Sequence, residues 1–212
     1  MNLDTVLYQD YENGLPQDGN HILAQQKSDT LFVYQAFNAS IAQYAVNNQR
    51  FGGKHYNLNR MSWIKPNFLW MMYRCGWAKK ENQNRVLAIE IEKCNFEKIL
   101  LEAVHSTYKE EIYKEREIWK AQLNASEVRI QWDPDHDPNG AKLARRAIQL
   151  GIKGEMLANF VSKWIVSIQD ITAFVLEQDA KMNAQNIEKI RVMRESVYQI
   201  ASEQLKKQLL IV

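Results

Sequence analysis

The sequence predicts an α+β fold: one domain built on a sheet of four or five mostly antiparallel strands, packed by helices, with a helical C-terminal third. Three observations carry this. Residues 30–37 (TLFVYQAF), 85–92 (RVLAIEIE), 128–132 (VRIQW) and 146–152 (RAIQLGI) are short, bounded segments rich in β-branched and aromatic residues. Helical patterns lie between them. From Gly154 onward, apolar residues recur at helical spacing to the end.

Residues 1–29 are polar and carry Gly14, Pro16 and Gly19, so they read as irregular, with one weak piece near residues 22–26. After the first strand, Asn38 or Ser40 can cap a helix over 39–48, which Phe51-Gly52-Gly53 ends. Residues 60–64 alternate and read as a short strand. Asn67–Cys75 is apolar nearly all round, the mark of a buried helix, with Pro66 suited to its first turn and Gly76 where it would end. The segment 85–92 is apolar on both faces and suits a central strand. Asn95 can cap the helix after it. Residues 109–122 (KEEIYKEREIWKAQ) form a charged, solvated helix. In the last third, Leu157 to Ile168 keep helical spacing, and a final long helix covers roughly 184–208.

Composition bounds the function. The chain has 212 residues, enough for one domain spanning 1–212, and its 46% hydrophobic and 25% charged residues are ordinary for a soluble protein. A net charge of +2 means that any basic footprint must be local. Cys75 and Cys94 lack metal-ligand spacing and read as free thiols. No signal peptide or membrane span is evident, which predicts a cytoplasmic protein without a membrane partner.

Chemistry concentrates in residues 59–80 (NRMSWIKPNFLWMMYRCGWAKK). This stretch holds Trp63, Trp70 and Trp77, five basic residues (Arg60, Lys65, Arg74, Lys79 and Lys80) and no acid. A helix start after Lys65 carries partial positive charge and free N–H groups, so it attracts an anion. The competing reading is a core helix whose basic residues reach out to water.

The second stretch is Asp133-Pro134-Asp135-His136-Asp137-Pro138-Asn139-Gly140. The series from Asp135 opens like an EF-hand loop but fails at its twelfth position, Arg146, where a bidentate Glu is required. Three readings remain. They are a divalent ion on Asp133, Asp135 and Asp137, a turn whose Asp side chains bond their own backbone, and a carboxylate that pairs with Arg145, Arg146 or Arg60 or acts as acid or base at the strand end. Glu90 and Glu92 share one face of a strand about 7 Å apart, a spacing that paired-acid chemistry can use. No Walker, GxGxxG, HExxH or catalytic-triad pattern is present, which leaves kinase, P-loop and dehydrogenase readings unsupported.

RMSWIKPNFLWMMYRCGW, preceded by VYQAFNASIA and followed by VLAIEI, VRIQWDPDHD and RAIQLGI, resembles the uncharacterised domain-of-unknown-function family 4291 over about residues 32–171. The resemblance implies a single intact domain of about this length, and no established activity or catalytic residue. A looser similarity to ADP-ribosyl-transferring folds rests on the Tyr-bearing first strand, Arg60, Ser62 and the Glu90/Glu92 pair, although that pair lies early in the chain.

Two functions follow as expectations. In the first, the protein is a nucleotide-binding enzyme, a transferase using NAD or a related nucleotide. Arg60, Lys65 and Arg74 hold phosphates, Tyr34 and Trp63 stack on a ring, and Asp133 or Asp137 acts at the reacting centre. In the second, the same residues bind single-stranded RNA without catalysis. The first requires Arg60 or Lys65 to share a cleft with Asp133 or Asp137, on strands expected to be neighbours.

Overall fold

The computed structural model describes residues 4–183 and 187–212. In chain order its elements are β1 (Thr5–Leu7), α1 (Tyr8–Asn13), β2 (Leu23–Ala24), β3 (Thr30–Phe37), α2 (Ala39–Asn48), β4 (Ser62–Ile64), α3 (Phe68–Cys75) and β5 (Arg85–Glu92). Then follow α4 (Lys93–Leu101), β6 (Ala103–His105), α5 (Glu110–Tyr113), α6 (Arg116–Ala125), β7 (Val128–His136), β8 (Lys142–Ile152) and α7 (Gly154–Asn159). A π-helical turn (Phe160–Trp164) leads into β9 (Ile165–Asp170) and α8 (Thr172–Asn183). A 3₁₀ turn (Ile187–Lys189), β10 (Arg191–Met193), β11 (Ser196–Val197) and α9 (Glu203–Leu209) complete the chain.

The fold is α+β, and every strand pair but one is antiparallel. Two sheets dominate. One has order β3-β5-β9 and the other β4-β8-β7-β6, with the parallel pair at β6-β7. One antiparallel bridge joins them, between Tyr34 of β3 and Lys65 just after β4. Beyond that rung the two strands part.

Alternation along the strands places the core. Leu31 and Val33 of β3 and Leu87, Ile89 and Ile91 of β5 face Ile64, Ile130 and Leu150 of the second sheet, which fills the space between the sheets. The opposite face of β3 and β5 carries Phe32, Tyr34, Val86 and Ala88. It packs on Phe68, Leu69 and Met72 of α3, Val175 of α8 and Val192 and Met193 of β10. α3 buries six of its eight residues, as its all-round apolar sequence predicts.

Local signals place several boundaries. The Asn38 side chain accepts from Ile41 N–H and caps α2, Asn67 accepts from Trp70 N–H and caps α3, and Gly76 ends α3 at φ 59°. Pro66 precedes the cap and lies outside the helix. The charged helix over 109–122 is broken into α5 and α6 at Lys114, whose φ is 40°. α4 starts at Lys93, so Asn95 sits within it and bonds back to Glu92.

The ends of the chain depart most from the expectation. The first segment carries β1, α1 and β2. The last third is mainly helical but includes three strands, and no single helix covers 184–208. Of that span residues 184–186 lie outside the described residues. β9 covers the second edge of β5, β10 pairs with β1, and β11 pairs with β2. Apolar residues three and four apart in this region serve strand pairings with partners near the N-terminus, which overrides the local helical pattern. Cys75 and Cys94 are free, and no helix among the described residues is long and apolar enough to cross a membrane.

Candidate functional site

Where β3 and β4 diverge, a cleft of about 540 Å³ opens between the sheets. Its floor is the polar face of the four-stranded sheet. Ile130 and Ile148 face the core, so Gln131 and Asp133 of β7 and Gln149 of β8 lie on the other side, and Gln131 and Gln149 line the cleft. Trp63 pairs with Gly151 across β4 and β8, which puts the indole on that floor. Arg60, Ser62 and Lys65 line one wall, Met71 and Arg74 of α3 another, and Gln35, His55 and Tyr56 a third. None of the lining residues is acidic.

Side-chain bonds hold the split in the sheet. A continued ladder would place Ala36 opposite Trp63. Instead, Gln35 inserts its amide there, and Nε2 donates to Ser62 Oγ (2.8 Å) and to Trp63 O (3.1 Å). Tyr56 OH donates to the same Ser62 Oγ.

Gly151 is small for a reason visible in its neighbours. A Cβ there would sit 2.6 Å from Met61 Sδ and 3.0 Å from the Trp63 indole. Met61 can bend aside, but the ring cannot without leaving the floor. Gly151→Ala is therefore expected to destabilise the fold by about 1–3 kcal/mol and to lift Trp63 into the cleft. A shift in the urea midpoint checks this, and an unchanged midpoint counts against the seating of the ring.

Arg60, Lys65 and Arg74 converge on this cleft, and no ion pair engages any of them among the described residues. Arg60 and Arg74 are exposed, whereas Lys65 is 4% exposed. Burial and the neighbouring Arg74 charge push the Lys65 ammonium down to about 8, against the pull of Asp133. Asp133 is clamped from two sides, with Gln131 Nε2 donating to Oδ1 and Gln149 Nε2 to Oδ2, both at 2.8 Å. The strands leading to Lys65 and Asp133 are not neighbours, because β8 lies between them. Both run antiparallel to β8, hence parallel to each other; they begin level at Ile152, but β4 ends opposite Leu150 while β7 runs on to Lys142.

Two expected members are elsewhere. Tyr34 is fully buried, with its ring edge-on to Phe68 and its hydroxyl on Gln25, so it cannot stack on a ligand in the cleft. Asp137 lies in the β7–β8 turn, where its Oδ1 accepts from Ala141 N–H. Its side chain holds the turn and does not line the cleft.

The three carboxylates of the Asp-rich stretch thus have separate duties. Asp133 serves the sheet's polar face, Asp137 the turn, and Asp135 a buried ion pair. Arg145 Nε donates to Asp135 Oδ2 at 2.6 Å, while its two terminal nitrogens grip Glu12 at 2.8 and 2.7 Å. Burial pushes the Asp135 carboxyl up, against the lowering pull of the short Arg145 contact and the His136 N–H. No group of three metal-capable side chains exists among the described residues. His136 stacks on Tyr73 and Trp70, with ring centroids at 3.5 and 5.3 Å.

The start of α3 is already occupied by a carboxyl group of the chain itself. Glu195, between β10 and β11, accepts from Phe68 N–H at 2.6 Å, Asn67 Nδ2 at 3.0 Å and Tyr11 O–H at 2.7 Å. The helix start is therefore no site for an external anion. Glu90 is also engaged. Burial raises its carboxyl, but bonds from Lys27, Thr30 and Ser167 outweigh this and hold it below the usual carboxylate range. Neither Glu90 nor Glu92 lines the cleft.

Sequence reasoning found the cations but missed Gln35, Gln131, Gln149 and Gly151. The signal for the last three was present in Arg129-Ile-Gln-Trp-Asp133 and Ile148-Gln-Leu-Gly-Ile152, two neighbouring strands that each alternate one polar with one apolar face. No curated protein matches the chain. The family model described as Domain of unknown function (DUF4291) matches residues 21–198, and the chain belongs to that family.

Proposed function

We propose that the cleft binds a nucleotide and that the protein is a nucleotide-dependent transferase, with NAD or a related dinucleotide as the class of ligand. One observation carries this reading: Arg60, Lys65 and Arg74 converge, without ion-pair partners, on an acid-free cleft floored by Trp63. Arg60 and Arg74 suit bidentate grip on phosphate oxygens. Trp63 offers a face for a base or ring. The volume falls in the usual range for small-molecule sites. Asp133, held by the Gln131 and Gln149 amides on the same polar face beside the cleft, is the carboxylate we assign to the reacting centre, a role the ADP-ribosyl resemblance would otherwise give to Glu90 or Glu92. Single-stranded RNA would use the same cations, and salt separates the two: backbone binding weakens steeply as salt rises.

A thermal-shift panel of AMP, ADP, ATP and NAD tests the reading. Binding at a hundred times Kd should stabilise the native state by about 2.7 kcal/mol, and Arg60→Ala combined with Arg74→Ala should remove the shift without lowering the unliganded Tm. No shift with any nucleotide at millimolar concentration overturns it.

A further inference from the structure

Lys65 is a poor choice if the cleft needs only charge. Arginine holds phosphate better, cannot lose its proton, and already stands on two walls. A buried ammonium is ordinarily paired, yet Lys65 Nζ makes no hydrogen bond or ion pair with a described residue. Its backbone is the best-anchored point of the cleft. Tyr34 N–H donates to Lys65 O at 2.7 Å and Lys65 N–H donates to Tyr34 O at 3.2 Å, the one rung that joins the two sheets. Asn67, two residues on, is held by Glu195. The backbone that carries the amine is thus anchored, the side chain is largely desolvated, and it shares the cleft with the permanent cations Arg60 and Arg74 that would seat a phosphate. Desolvation beside another cation is one way in which a lysine is made nucleophilic at neutral pH.

We propose that Lys65 is a nucleophilic amine that forms an imine with the carbonyl carbon of a phosphorylated aldehyde held in the cleft. The open-chain form of a sugar phosphate, or a nucleotide ending in a reducing sugar, belongs to this class. The proposal rests on the anion-binding reading for where the phosphate sits, and adds the reacting atom. The Nζ lone pair adds to the carbonyl carbon and the C=O π pair moves to oxygen. Both nitrogen protons then leave with that oxygen as one water, and a C=N bond remains. Nothing is oxidised or reduced.

Pyridoxal 5′-phosphate, a phosphorylated aldehyde, is the probe. The full chain is incubated with it, imines are trapped with cyanoborohydride, and modified lysines are mapped by peptide mass spectrometry. Lys65 should be labelled at least about tenfold faster at pH 7.5 than exposed Lys54 or Lys142, because far more of its amine is unprotonated there. Its rate should level off above about pH 8, while theirs keeps rising. Inorganic pyrophosphate should slow Lys65 alone. Lys65→Arg, checked for unchanged Tm, should lose only the fast phase. Labelling of Lys65 no faster than Lys142, or a rate that climbs past pH 10 without levelling, overturns the proposal. If nucleotides still shift the Tm in that case, the amine chemistry fails and the nucleotide reading stands.

Discussion

Arg145→Met is expected to lower the unfolding free energy by about 3–5 kcal/mol, the usual cost of stranding one member of a buried ion pair. Arg145 is 1% exposed and Asp135 is 0% exposed. The guanidinium bonds Asp135 through Nε and Glu12 through both terminal nitrogens. Without it, Asp135 keeps only the His136 N–H and cannot turn to water. Glu12 is less affected, since part of its side chain is exposed. Urea denaturation at pH 7 measures the effect. Asp135→Asn in the same chain should restore part of the loss, because it removes the stranded charge, and the double-mutant cycle separates the pair from the packing. A loss below about 1 kcal/mol for Arg145→Met would show that water reaches Asp135 and that the network is not closed.

The second large effect is a pH dependence. Burial pushes the Glu195 carboxyl from 4.5 up to about 8, against the bonds from Tyr11 and Phe68. The native state therefore keeps this proton to higher pH than the unfolded chain. Between 4.5 and about 8 the unfolded chain releases it first, so rising pH favours unfolding. The contribution is complete below 4.5 and lost above about 8. Within the window the slope from this one group approaches 1.4 kcal/mol per pH unit as an upper limit. Glu195→Gln should flatten that slope, whatever it does to absolute stability, because Asn67 Nδ2 would then meet an amide that cannot accept at that position. Urea midpoints from pH 5 to 8 for the two proteins make the comparison. Parallel curves would mean that Glu195 is ionised in the native state.

The parts of this fold that were legible in sequence are those fixed by neighbours in the chain. Asn38 announces its helix because a short oxygen-bearing side chain satisfies free N–H groups two or three residues on. Gly76 announces a helix end because its φ is positive. Arg60, Lys65 and Arg74 were suspected together because one strand–helix unit carries all three. Tyr34 was misplaced because β3 is buried on both faces. Its alternation separates Tyr34 from Gln35 but does not say which one borders a cleft. The central character of β5 demanded a partner on each edge, and β9 was present as the β-branched Ile165-Val-Ser-Ile168 within a region read as helix. The Asp135–Arg145 pair was among the readings of the Asp-rich stretch, its members being only ten residues apart, whereas Glu12 and Glu195 left no local trace, since their partners are 133 and up to 184 residues away.

Those long separations set the order of events during synthesis. The N-terminal strands β1 and β2 find partners only in β10 and β11. Phe68 receives its carboxylate cap from a residue 127 positions later. At ribosomal speeds of roughly 5–20 residues per second, that wait is on the order of ten seconds. Through it, α3 must sit as a largely apolar eight-residue segment with only its local Asn67 cap and an unpaired Phe68 N–H, while the face of β3 and β5 beneath it lacks its C-terminal cover. The nascent chain thus presents its greasiest helix, and the future wall of its cleft, to chaperones before the cleft itself can exist.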